Sequence, residues 1–367
     1  MSFDSKKREE IKKYILRKIA LDDKEMISKA MDSFGISVTS VKRYIKELVE
    51  CGSIMAQPDC SCGYCLTEHI IEHEIPLGQQ LEEDRLYDTL IKGNLNNCNT
   101  NTLRIWQYAC AEILNNAIEH SRGMNIRIIV YSNILFGRVV IVDDGVGVFQ
   151  TLLEYMAGHG WDHPCADDAL LELYKGKFTS DADRHSGEGI FFSSKVMDEF
   201  IIWSDNRVYK CGYGIGTETI EHRLLAYSSR MRRIGTMVMM TIENETDRNL
   251  SEVFDMYTDI EEGFIRTSIP VKEACLTGEP VARSQARRIC NRLDEFKEVI
   301  LDFNRVEVMG QGFADELFRV YALAHPQVML RPVNMTSEVE RMIRHVCRGQ
   351  MPENVGMPEE QLIQWRP

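Results

Sequence analysis

Four short segments carry side chains whose types and spacing suit joint chemistry. The first holds Glu112, Asn115, Asn116, Glu119 and His120. Glu112 and Asn116 stand four apart, so in a helix they project from one face. A carboxylate and a carboxamide oxygen side by side suit a hydrated Mg2+ and can orient a water. A solvated polar stripe is the plainer alternative. In the second, the apolar run Val139–Val142 leads into Asp143, Asp144, Gly145 and Gly147. A carboxylate at the end of a buried strand needs a donor, and the exocyclic amine of adenine is one. The glycines would let backbone approach a flat ligand, although a simple turn also fits. In the third, Ser186, Gly187, Glu188 and Gly189 open a helix, and backbone N–H groups at a helix start favour phosphate. The fourth, Gly235 and Thr236 entering an apolar strand, says nothing alone.

These segments need elements to hold them. Trp106, Ala109, Cys110, Ile113, Ala117 and Ile118 repeat at helical spacing and predict a long helix under Glu112 and Asn116. Ile126–Tyr131, Arg138–Val142, Phe200–Ser204 and Thr236–Ile242 predict strands, as does the extended stretch Glu74–Leu77. A mixed-polarity stretch runs from Phe149 to Ser186, and a helix is predicted from Gly189 to Asp198. Helices packed on a mixed sheet give α+β. Upstream, three amphipathic helices are predicted, holding Ile11, Ile15 and Ile19, then Met26, Ala30 and Met31, then Val41, Ile45 and Leu48. Gly35 supplies a turn, Ser37 a cap, and Ser53–Gln57 with Tyr64–Glu68 a hairpin. This pattern predicts a winged helix-turn-helix. Beyond Gly263, strands at Val271–Leu276, Val299–Phe303 and Val328–Pro332 alternate with helices at Val281–Glu295, Gly312–Ala324 and Met335–Cys347, a small α/β domain. The expected organisation is therefore 1–71, 72–250 and 262–350.

The 367 residues, 44% hydrophobic and 27% charged, suffice for several cores. No apolar run reaches the roughly eighteen residues of a membrane span, and the polar start lacks a signal-peptide core. A cytoplasmic location is expected. Eleven cysteines without that signal read as reduced thiols. The net charge of −13 argues against nucleic acid along the whole chain, yet residues 1–50 hold twelve Lys and Arg against nine Asp and Glu. Thr39, Ser40, Lys42, Arg43 and Lys46 lie on or around the exposed face of the third helix, where hydroxyl and basic groups suit DNA contacts; a protein contact is the alternative. Cys60, Cys62 and Cys65, with Cys51 or His69, could supply four zinc ligands. The single residue between Cys60 and Cys62 is tighter than usual zinc spacing, and zinc is not expected.

Taken in order, the four segments resemble the N, G1, G2 and G3 motifs of the gyrase, heat-shock chaperone, histidine-kinase and MutL superfamily, the Bergerat-type ATPase domain, an α/β sandwich. The resemblance implies that Asn116 ligands Mg2+, that Glu112 positions or activates the attacking group, and that Asp143 binds adenine. It also implies that Gly145 and Gly147 line the nucleotide, that Gly187 and Gly189 carry its phosphates, and that Thr236 sits near adenine. Residues 149–186 correspond to the ATP lid. A P-loop is excluded, because no such motif is present. His73 superficially resembles a phosphoacceptor box but lies too close to Asn116 for a helical hairpin to intervene. The spacing of Glu112 and Asn116 looks like the anti-sigma-factor serine kinases. Val299–Val306 and Gly310–Phe313 look like a STAS domain, with Gln311 where those proteins carry a phosphoaccepting serine. Residues 312–319 look closer to STAS-like domains of unknown function.

The expected protein is thus an ATP-binding and ATP-hydrolysing regulator in which Mg-ATP binding and lid ordering control DNA binding by residues 1–71 or binding of an unknown protein partner by the STAS-like domain. It would be a possible homodimer with no membrane attachment. The alternatives are a serine/threonine kinase acting on a separate protein and a non-catalytic scaffold.

Overall fold

The computed structural model describes residues 4–78, 81–177, 188–212, 234–275 and 278–356. The chain divides into two compact units. One comprises Met1–Gly145, Met197–Ile201 and Cys211–Asp247, the other Val146–Val196, Ile202–Lys210 and Arg248–Pro367. The division cuts across the three segments expected from the sequence.

In the first unit, α1 (Ser5–Ala20) begins where Asp4 accepts the Lys7 N–H at 2.7 Å. Helix α2 (Met26–Phe34) stops at Gly35, whose φ of 61° suits glycine. Ser37 caps α3 (Val38–Glu50), and β1 (Ile54–Ala56) pairs antiparallel with β2 (Tyr64–Leu66). These elements bury Ile11, Ile15, Ala30, Val41 and Ile45, and the same hydrophobic cluster takes in Leu135 and Phe136, nearly a hundred residues downstream. Arg17 of α1 adds a two-pronged ion pair to Glu243 at 2.8 and 2.9 Å.

After two residues the chain enters β3 (His69–Pro76), longer than the extended stretch expected. A short helix, α4 (Glu83–Leu86), leads through a π-helical turn at Tyr87–Ile91 toward α5 (Thr100–His120). Asn99 caps α5, accepting the Thr102 N–H at 2.8 Å. Thr102, Ile105, Trp106, Ala109, Cys110, Ile113, Leu114 and Ala117 form its buried stripe. Strands β4 (Asn125–Ser132) and β5 (Phe136–Asp143) meet at a turn shaped by Asn133, whose Oδ1 accepts the N–H groups of Leu135 and Phe136, both at 2.9 Å. The Asn133 carbonyl in turn accepts from the amides of Asn97 (2.9 Å) and Asn244 (2.8 Å). The asparagine-rich stretch before α5 thus ties this turn to the end of the sheet.

Later come α6 (Val148–Gly158), α7 (Ala166–Lys175) and α8 (Gly189–Val196), then β6 (Glu199–Ser204), β7 (Arg207–Gly212) and β8 (Met237–Glu243). The six-stranded sheet has the order β3-β4-β5-β8-β6-β7, with β3, β4, β5 and β8 successively antiparallel. Strand β7 was not expected. Its signal is the pair Asp205 and Asn206, with φ of 48° and 59°, a two-residue loop of the kind that closes hairpins.

The second unit continues with α9 (Leu250–Tyr257), the short strands β9 (Thr258–Asp259) and β10 (Gly263–Phe264), and β11 (Arg266–Pro270). Helix α10 (Val271–Ala274) follows, where the sequence reading placed a strand from Val271 to Leu276. Thr267, Ile269 and Val271 are buried alternately, and then Val271, Ala274 and Cys275 at helical spacing. A hydroxyl residue thus takes an inward position of the strand: Thr267 is fully buried and donates to the Lys175 carbonyl at 2.9 Å. The helix expected over Val281–Glu295 is shorter. Helix α11 (Arg283–Cys290) stops before Arg292, which adopts φ 56°, and a 3-10 turn covers Leu293–Glu295. Strand β12 (Glu298–Asp302), α12 (Gln311–Asp315, continued by a π-helical turn to Tyr321), β13 (Met329–Val333) and α13 (Ser337–Val346) complete the unit. Strands β11, β12 and β13 are parallel in that order. The protein is a mixed α+β chain.

Candidate functional site

In the first unit the end of β5, the entry to β8 and the end of α5 converge on two adjacent aspartates. Asp143 is buried, and its Oδ1 accepts the N–H groups of Gly145 at 2.9 Å and Thr236 at 3.2 Å. Its own backbone pairs with the same segment: Asp143 N–H donates to the Thr236 carbonyl and Gly235 N–H to the Asp143 carbonyl, both at 2.9 Å. Burial pushes the Asp143 carboxyl above its ordinary value, against the pull of those hydrogen bonds. A carboxylate has acceptor capacity beyond these donors.

The glycines here answer to packing. A Cβ on Gly145 would overlap the Ser121 carbonyl just past α5, and one on Gly235 would come within 2.6 Å of the Gly145 nitrogen. Gly145 therefore seats the end of α5 on the end of β5. Asp144 faces another way: its Oδ1 accepts from the N–H groups of Met124 (2.6 Å) and Asn125 (2.9 Å), and its Oδ2 from the Asn125 amide at 2.9 Å. Burial raises its pKa, but these hydrogen bonds outweigh that and hold it below the usual carboxylate range. Gly123 belongs to the same turn, since a Cβ there would lie 2.7 Å from Asp144 Oδ1. Ser121 and Gly123 were not singled out in the sequence, and Asp144 was given no role of its own there; the signal for Ser121 and Gly123 is their place directly after the polar helix end.

Glu112 and Asn116 lie half-buried on α5, beside its fully buried stripe and upstream of the Ser121 contact. The structure thus gathers Asp143, Gly145 and Thr236 beside Ser121 at the end of α5, while Glu112 and Asn116 lie farther back on that helix. In the second unit, Gly147 caps α6 with φ 103°, a conformation that requires glycine. Gly189 is the first residue of α8, where the Phe192 N–H donates to the Glu188 carbonyl at 2.9 Å. Gly187 lies outside the described residues. The segment assigned to the lid contains α6 and α7.

On α3, Thr39, Lys42, Arg43 and Lys46 are exposed. Ser40 is half-buried in the cap, its hydroxyl 3.1 Å from that of Ser37. Arg43 and Lys46 each have a glutamate one turn on, Glu47 at 3.8 Å and Glu50 at 3.6 Å. Such exposed pairs are weak. The hairpin, residues 53–66, contains no lysine or arginine. Cys62 shapes its turn, donating its N–H to Asp22 at 2.9 Å. Burial raises the thiol pKa values of Cys60, Cys62 and Cys65, and Cys51 lies 3.1 Å from Ser53 Oγ. His69 starts β3, opposite Ser132. Among the described residues, no group of three or more His, Cys, Asp or Glu side chains could hold a metal ion.

In the second unit, Gly310 precedes α12 and donates its N–H to the Pro280 carbonyl at 2.9 Å. A Cβ on Gly310 would come 2.7 Å from the Val281 Cα, and Gln311 stands exposed at the helix start. With β12, α12 and β13 in place, one comparison is decisive for this part of the chain. Residues 285–340 match the STAS-like domain of unknown function (DUF4325). No curated protein matches the chain. Among the described residues, no helix is long and apolar enough to cross a membrane.

Proposed function

We propose that residues 72–250 form a Bergerat-type ATP-binding domain and that this domain regulates the rest of the chain. The observation carrying the reading is Asp143: a carboxylate buried at a strand end, raised in pKa, with Gly145 and Gly235 packed too closely for any side chain. Such a group lowers stability where it stands, which favours a binding role over a structural one. Asp143 would accept the adenine amine, Gly145, Gly147 and Thr236 would border the base, and Gly187 and Gly189 would meet phosphate. Asn116 would hold Mg2+ with phosphate oxygens completing its shell. Hard oxygen donors fit that ion, which needs only one or two protein ligands and when bound neutralises phosphate charge. Glu112, on the same helix face, would orient the attacking water.

Residues 1–71 would act as a winged helix-turn-helix, reading DNA through the exposed Thr39, Lys42, Arg43 and Lys46. With no basic residue in the hairpin, contacts would come from the helix and not the wing. A homodimer would present two such helices to a two-fold site, and the STAS-like domain would bind the protein partner.

The test is thermal unfolding with and without Mg-ATP. At a hundred times the dissociation constant, ligand stabilises by about 2.7 kcal/mol, several degrees in midpoint. The wild type and Glu112→Ala should shift, Asp143→Asn should not, and Glu112→Ala should release no phosphate. No shift at millimolar Mg-ATP in the wild type would leave a DNA- or protein-binding scaffold. Transfer of phosphate to a second protein would instead favour the kinase.

A further inference from the structure

The second unit contains a set of buried charges that the ATP-binding reading does not use. Lys175, at the end of α7, is 1% exposed and Glu172 3%. Lys175 Nζ donates to Glu172 Oε1 at 2.8 Å and also to the carbonyl of Asn291. The other oxygen of Glu172 accepts from Arg292 at 2.8 Å, and Arg292 turns back to Glu295 at 2.6 Å. Just beyond α7, Lys177 Nζ donates to the Glu295 carbonyl at 2.6 Å and lies 4.5 Å from the centre of the Phe296 ring. Asn291, Arg292 and Glu295 all lie within the STAS-like residues 285–340.

Neighbouring β11 completes the grip. The Thr267 hydroxyl donates to the Lys175 carbonyl at 2.9 Å, and the Ser268 carbonyl accepts from Lys195 of α8 at 3.2 Å. Consecutive residues of one strand therefore hold both α7 and α8, the helices on either side of residues 178–187. Buried ion pairs stabilise little in net terms, because desolvation offsets attraction. They do penalise any arrangement that strands a charge. An apolar seam of the same size would hold α7 as tightly or more so.

We propose that the C-terminal sheet and its STAS-like domain are a releasable latch for α7 and α8, with Glu172, Lys175 and Arg292 as its charged bolt. A partner that draws the Arg292 guanidinium to itself breaks its ion pair with Glu172 and so loosens α7. Insofar as α8 serves phosphate, which rests on the reading above, nucleotide occupancy and partner access are then linked.

Hydrogen exchange on the full chain tests this. Lys175→Met removes the buried ammonium, and amides of residues 166–175 should exchange at least about tenfold faster, while residues 100–120 keep their protection. If Lys175→Met unfolds throughout, Thr267→Val removes one bond from the same seat and should raise exchange in 166–175 alone. Wild-type protection in 166–175 of a folded variant overturns the latch. Adding a non-hydrolysable ATP analogue to the wild type should change exchange in 283–290 at least about threefold. Protection gained near 143–145 without change in 283–290 also overturns the latch and leaves ATP binding standing. No change anywhere overturns ATP binding, and the Lys175→Met result alone then decides the latch.

Discussion

At the scale of single residues, two adjacent aspartates do opposite work. Asp143 is raised by burial, so around and above the ordinary carboxylate value the folded state binds more protons than the unfolded one. Its contribution to stability therefore falls as pH rises through that window and stays unfavourable at neutral pH. Asp144 is lowered by its hydrogen bonds with Asn125 and Met124, which outweigh burial. Its contribution is present above the unfolded value and is lost as pH falls toward the folded one. Asp143→Asn keeps an acceptor for Gly145 and Thr236 and removes the buried charge, so its midpoint at pH 7 should equal or exceed that of wild type. Asp144→Ala leaves Met124 and Asn125 without their acceptor and should cost about 2–3 kcal/mol at pH 7. Its penalty should shrink in acid. Denaturant titrations at pH 7 and pH 4 check both signs; a destabilised Asp143→Asn would mean that the carboxylate is structural.

At the scale of elements, α3 offers the sharpest contrast between what it presents and what neutralises it. Lys42 lacks the one-turn glutamate that faces Arg43 and Lys46. If α3 meets DNA, Lys42→Ala should weaken binding uniformly across sequences and reduce the salt slope by about one ion. Glu47→Gln should strengthen binding by freeing Arg43. Titration of a labelled duplex at several salt concentrations reads both, and an unchanged slope in Lys42→Ala would remove α3 from the interface. Helices α1 to α3 and α5 were legible because their apolar residues repeat at helical spacing and their caps, Ser37 and Gly35, are local signals. Strand β11 was not, because its buried threonine looks polar until a partner carbonyl is seen. The stop of α11 at Cys290 was hidden likewise, since the left-handed Arg292 that follows, a non-glycine residue at φ 56°, has no sequence signature. For the site, the sequence marked Asp143, Gly145 and Thr236. It did not mark Ser121, whose carbonyl dictates Gly145.

At the scale of the molecule, the first unit joins its N-terminal helices to the sheet through a shared core. Strand β5 has Phe136 inside the cluster of α1–α3 and Asp143 at the other end, roughly 24 Å away at 3.4 Å per residue. Strand β8 starts beside Thr236 and ends at Glu243, the partner of Arg17. The ion pair is exposed and contributes at most about 1 kcal/mol. The ring matters more: Phe136→Ala should cost about 3–5 kcal/mol. Exchange should rise in α1–α3 as well as in β4 and β5. Loss confined to the strands would mean that the two parts are stable separately.

Strand β3 has a consequence of another kind. It lies at the edge of the sheet, eight residues long, with Ile70 and Ile71 in solvent. Such a rim is a template on which other extended chains assemble, and storage of the concentrated protein is where this will first be noticed. Ile70→Lys should slow the growth of turbidity over days without moving the unfolding midpoint, the rim's hazard being a matter of colloidal lifetime rather than of folding.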